Sequence, residues 1–142
     1  MRLSEIITLL DREVAGRGSY TVTVWARKLR APGADEAEAE AYSVLDVAID
    51  EQDSHIDLVT EEGLEQSPDP ASVFTAEHLL EHCRALEPRC GEWSVYVRST
   101  IEPIEPGWGV RIDAPVVGMA ANHDTRAVAL LQFPPEQWRD AV

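Results

Sequence analysis

The chain has 142 residues, 44% of them hydrophobic and 27% charged, which suits one folded domain with a real core and argues against overall disorder. Its formal net charge of -14, from 26 acidic against 12 basic residues, disfavours nucleic acid and anionic membrane as direct partners and favours basic ones. No run of about 18 apolar residues occurs, and MRLSEIITLLDREV carries acids where a secretory leader would stay apolar, so a soluble cytoplasmic protein is expected.

Along the chain, Leu3, Ile6, Ile7, Leu10 and Val14 recur at helical spacing, with Ser4 near the start and Gly16 and Gly18 past the end. That pattern predicts a helix lying on a sheet. Tyr20, Val22 and Val24 then alternate with Thr21, Thr23 and Trp25, a strand pattern that leaves Trp25 as the exposed interface aromatic. The segment RAPGADEAEAEA opens on turn residues and continues as Ala and Glu alone, which reads as a loop or a short exposed helix. Residues 42–49 and 55–60 predict a hairpin around residues 50–54, with Leu45, Val47, Ile49, Ile56 and Leu58 facing inward. Gly63, Pro68 and Pro70 interrupt regular structure and mark a linker over residues 63–73.

A second helix is expected in TAEHLLEHCRAL, with Thr75 as N-cap, Ala76, Leu79, Leu80, Cys83 and Leu86 as its buried stripe, and Pro88 as its stop. WSVYVRSTI, GWGVRIDA, PVVGMA and TRAVALLQF follow as strands, and the tail PPEQWRDAV suits one closing helical turn. The expected class is therefore α+β: two helices packed on an antiparallel or mixed sheet of about six strands, in the order α-β-β-β-α-β-β-β with a further strand optional. Sliding the chain by 73 residues lays Ile6-Ile7 on Leu79-Leu80, Gly18 on Gly91, Tyr20 on Trp93, Val22 on Val95 and Val24 on Val97. One domain of residues 1–142 with half-repeats 1–62 and 74–134 is one explanation; two similar halves produced by common packing rules is the other.

Charge is unevenly placed. No Lys or Arg occurs from Ala31 through Cys83, a stretch holding fifteen acids, whereas Met1 to Arg30 has six basic residues and three acids. An acidic sector follows, carried by Asp46, Asp50, Glu51, Asp53, Asp57, Glu61 and Glu62 around the hairpin; the plainer account is a solvated face and a polar turn. The hairpin lacks the glycine and the ligand spacing of a helix-loop-helix calcium loop. Eleven arginines against Lys28 alone, with abundant Ala, fit a high-GC bacterial coding sequence.

His78-Leu79-Leu80-Glu81-His82 places two histidines four residues apart on a helix, able to reach one metal ion, with Cys83 beside them and Cys90 beyond. This H-x-x-E-H resembles the motif of the inverted zinc peptidases, over five residues only. The resemblance implies a zinc-dependent enzyme with Glu81 as base; chance placement on the flank of an amphipathic helix is the competing account. No G-x-S-x-G elbow, phosphate-binding glycine loop or dinucleotide fingerprint is present, so no enzyme class is anchored and no cofactor is expected.

The function these features favour is a small bacterial protein-binding module of the immunity or inhibitor type, presenting carboxylates to a basic protein. The alternative is a homodimeric assembly module, since the order of elements and the acidity are similar in outline to type III secretion chaperones.

Overall fold

The computed structural model describes residues 1–28, 38–61, 69–101 and 110–132. Two helices, α1 (Leu3–Val14) and α2 (Ala76–Cys90), pack on one face of a seven-stranded mixed sheet. The strands are β1 (Thr21–Lys28), β2 (Glu38–Asp50), β3 (His55–Thr60), β4 (Ser94–Ile101), β5 (Val110–Pro115), β6 (Gly118–Asn122) and β7 (Ala127–Leu131). The class is the expected α+β, and the strand left optional after α2 is present, making seven where about six were anticipated. No helix among the described residues is long and apolar enough to cross a membrane.

The sheet order is β5-β4-β3-β2-β1-β7-β6, with β1/β7 and β3/β4 parallel and the other pairs antiparallel. Its two edge strands, β5 and β6, are consecutive in the chain and joined through Val116 and Val117. Val116 N donates to Val95 O on β4 (2.9 Å), and Val117 N donates to Leu131 O on β7 (2.8 Å). Opposite edges therefore meet at this two-residue link, and the sheet must curl.

Helix starts are satisfied by the other half of the chain. Leu3 N donates to Trp93 O and Ala76 N to Tyr20 O, both at 2.9 Å, and bridges join Arg2 to Ser94 and Thr75 to Thr21. These bonds occupy N–H groups that a helix end leaves without intrahelical partners. The N-cap of α1 is accordingly Arg2, which makes no side-chain cap, and Ser4 lies inside the first turn. At α2 the anticipated cap forms, Thr75 Oγ1 accepting from His78 N at 3.2 Å. α1 and α2 begin 73 residues apart, at Leu3 and Ala76, and so do β1 and β4, at Thr21 and Ser94.

Several local expectations change. Glu38–Ala41 belong to β2, because pairing with β1 up to Lys28↔Glu38 supplies the ladder that an Ala/Glu stretch could not build alone. A register shift between Val44 and Asp46 makes a bulge, so fully buried Val44, rather than Leu45, joins the core. α2 continues through Pro88 to Cys90, since a proline in the last turn forfeits only one backbone bond. Within the anticipated linker, Pro70–Ser72 form a 3-10 turn started by Asp69, whose Oδ1 accepts from Ala71 N at 3.0 Å. The tail from Phe133 lies outside the described residues, as do residues 63–68 of the linker.

The main core joins the helix stripes, Leu3, Ile6, Leu10, Leu79 and Leu80 among them, to Val22, Val24, Ile56, Leu58, Val95, Val97 and Leu130 from the sheet. A smaller apolar cluster, Ala129 and Leu131 with Trp25 and Ala120, sits on the face away from the helices.

Candidate functional site

On that second face a groove of about 590 Å³ lies over β1, β7 and β6. Thr23, Ala120, Ala127 and Ala129 form its floor, small side chains that alternate with the core residues of the same strands. Trp25 stands at one end, on the anticipated Thr21/Thr23 side of β1, but is half-buried against the apolar floor rather than exposed, because Leu131 and Ala129 of β7 pack against it. The turn between β6 and β7 closes the other end. Asn122 Oδ1 accepts from Asp124 N (3.0 Å) and Thr125 N (3.2 Å), and Arg126 takes a left-handed conformation at φ 53°.

His123 fixes this turn to α1. Its Nδ1 lies 2.7 Å from Tyr20 Oη and its Nε2 lies 3.0 Å from Glu13 Oε2. An ionised Glu13 can only accept, so Nε2 carries the hydrogen, and a neutral ring then leaves Nδ1 to accept from the Tyr20 hydroxyl. The turn thus has one defined pose relative to the groove. Among the groove's lining residues Asp124 bears the one permanent charge, and it is negative.

The predicted acidic set divides. Asp46, Glu51 and Asp53 are exposed around the β2–β3 hairpin, and Asp50 is half-buried with Oδ1 accepting from Asp53 N at 3.1 Å. Glu51 pairs with Arg89 at the end of α2. Glu61 is half-buried and accepts from Ser43 N at 2.6 Å, a bond that ties β2 to the end of β3. Glu62 lies outside the described residues.

Asp57 corrects the expectation of an exposed carboxylate: it is only 1% exposed. It occupies an interior strand, opposite Ala48 on β2 and Tyr96 on β4, where the His55 ring stacks on Tyr96 at 3.9 Å. Strand alternation alone assigned Asp57 to the face of Asp46 and Asp50. Burial within that face depends on neighbours brought in by β4.

The hairpin and the β6–β7 turn project from the same end of the sheet. β7 starts beside the start of β1, Thr21↔Ala127, while β2 runs antiparallel to β1 and continues past Thr21 to Asp50. Asp50, Glu51 and Asp53 on the hairpin and Asp124 on the β6–β7 turn therefore lie toward the same end of the sheet, Glu51 being paired with Arg89 there.

On α2, His78 and His82 are exposed, whereas Cys83 is 1% exposed and faces the core. Cys83 is thus kept apart from the two histidines, whose rings lie 5.1 Å apart between centroids. Among the described residues no group of three or more His, Cys, Asp or Glu side chains is placed to hold a metal ion. Burial pushes the Cys83 thiol up to about 12. Below about pH 9 the thiol is protonated folded or unfolded, and its contribution to stability is fully present. Between there and about pH 12 only the unfolded chain ionises, so this contribution is lost as the pH rises. Cys90 is also buried, so neither thiol of the native protein should react with a colorimetric disulfide reagent, and both should react in denaturant. Fast labelling of the native chain would contradict this placement.

The link from His123 to Tyr20 and Glu13 escaped sequence reasoning because His123 lies 103 and 110 residues from those partners in the chain. The signal that was present is the polar run Asn122-His123-Asp124-Thr125, set between two Ala-rich strands. Comparisons with protein-family models, with curated proteins and with solved structures give no match.

Proposed function

We propose that the protein is an acidic binding module of the immunity or inhibitor type, whose hairpin end meets a basic surface of a protein partner. The observation that carries this is the placement of the exposed hairpin acids and of Asp124 toward one end of the sheet, the end at which the groove lined by Trp25 is closed by the β6–β7 turn. On a chain of net charge -14, such an array steers a basic partner over a Debye length, and the rigid aromatic supplies contact area once the partner has arrived.

The test is capture on the immobilised full chain, washed at about 0.1 M and then about 1 M salt, where screening shortens from roughly 10 Å to 3 Å. A basic protein should be retained in the first wash and released in the second. The doubly reversed variant Asp46→Lys/Asp53→Lys, altered only at exposed positions, should fail to retain it while keeping its circular dichroism spectrum. Retention that ignores salt or the charge reversals would overturn the proposal.

The apolar floor of the groove favours one second reading, a homodimeric or chaperone-like assembly module. Sedimentation separates the two: a stable dimer that survives about 1 M salt supports assembly through apolar contact.

A further inference from the structure

α2 presents His78 and His82 one helical turn apart, and both side chains are exposed. Phe74, just before the helix, is held by its N–H to Val44 O (2.8 Å) and is only 8% exposed. Both imidazoles lie against its ring, His78 at 4.6 Å and 27° and His82 at 4.8 Å and 37° between centroids and planes. Their own centroids are 5.1 Å apart. The buried phenyl thus acts as a template that restricts both imidazole rings to one patch, which lowers the rotamer entropy lost when they share a ligand.

The other histidines are committed differently. His123 engages both ring nitrogens with Tyr20 and Glu13, and His55 is stacked alone on Tyr96. No hydrogen bond to a described residue occupies the ring nitrogens of His78 or His82. The exposed carboxylates of Glu77 and Glu81 on the same helix, and the net charge of -14, favour a cation over an anion at this patch.

We propose that His78 and His82 form a two-imidazole chelate for a divalent late transition metal, strongest for Cu²⁺ and weaker for Ni²⁺ and Zn²⁺. Imidazole is a borderline donor that suits these ions, and their affinities at nitrogen sites peak at copper. The thiol of Cys83 faces the core and takes no part. With two protein ligands, the remaining coordination positions belong to water.

Isothermal titration of the full chain with Cu²⁺, then Ni²⁺ and Zn²⁺, in a buffer that does not chelate metals, tests the site. One ion per chain is expected, bound most tightly for copper. His78→Ala and His82→Ala should each weaken binding by about tenfold or more, since losing a ligand costs at least what losing its supporting contacts does. His55→Gln should leave the affinity unchanged. The electron paramagnetic resonance spectrum of the copper-loaded chain should carry nitrogen coupling that diminishes in either alanine variant. Both positions are exposed, and unchanged circular dichroism would establish that the variants fold. Absence of stoichiometric binding, or equal affinity in the wild type and both alanine variants, would overturn the proposal and assign any bound metal to the N-terminal amine or to dispersed carboxylates.

Discussion

Replacing Leu10 with alanine should destabilise the protein by about 3 kcal/mol, within the roughly 2–5 kcal/mol that removal of a fully buried leucine side chain costs. Leu10 is 0% exposed and sits in mid-helix, where α1 meets both α2 and the sheet. Its neighbours come from elements tied at their ends: the start of α1 is bonded to Trp93 and Gly91, and its later part is tied to α2 by the Arg84–Asp11 ion pair. Such a site collapses poorly around a deletion, so a cavity term adds to the lost transfer free energy. Urea denaturation should show a lower midpoint with an unchanged slope, and Thr8→Ala on the exposed side of the same helix should stay within about 0.5 kcal/mol of wild type. A domain of this size has roughly 5–15 kcal/mol to lose, so the difference lies well outside error. A Leu10 variant as stable as the Thr8 variant would contradict the packing described for α1.

Charge reversal at Asp57 should be the more damaging of two formally equal changes in the hairpin region. Asp57→Lys places a longer cation at a position 1% exposed between Ala48 and Tyr96, with the cost of desolvating an ammonium added to steric conflict. A loss on the order of 3–5 kcal/mol is expected, as for other disruptions of buried charge. Asp53→Lys, in the exposed turn, should change stability by no more than about 0.5 kcal/mol. Thermal unfolding followed by circular dichroism distinguishes the two directly. Equal melting temperatures would mean that Asp57 reaches solvent. The same contrast selects the variants for binding: loss of a partner on reversing Asp57 reports unfolding, whereas loss on reversing Asp46 and Asp53 reports recognition.

Local features of the chain were legible because their causes are local. The stripe Leu3, Ile6, Ile7, Leu10 and Val14 and the alternation Tyr20 to Trp25 carry the 3.6- and 2-residue periods that one buried face imposes, and α1 and β1 formed over them. Thr75 caps α2 because its hydroxyl needs only a backbone N–H three residues away. The 73-residue offset could also be read directly, since it is a matter of spacing.

What sequence alone determined, then, is the α+β class with its approximate element order, the inward faces of the helices and of β1, and the acidic excess. Only the tertiary structure decided the curl that brings β5 to β6, the bulge that exchanges Val44 for Leu45, the burial of Asp57, and the groove between Trp25 and Asp124. The link from His123 to Tyr20 and Glu13 spans more than a hundred residues. Each depends on which strands become neighbours, and that choice is set by the summed burial of many small contributions rather than by a period or motif within any one segment.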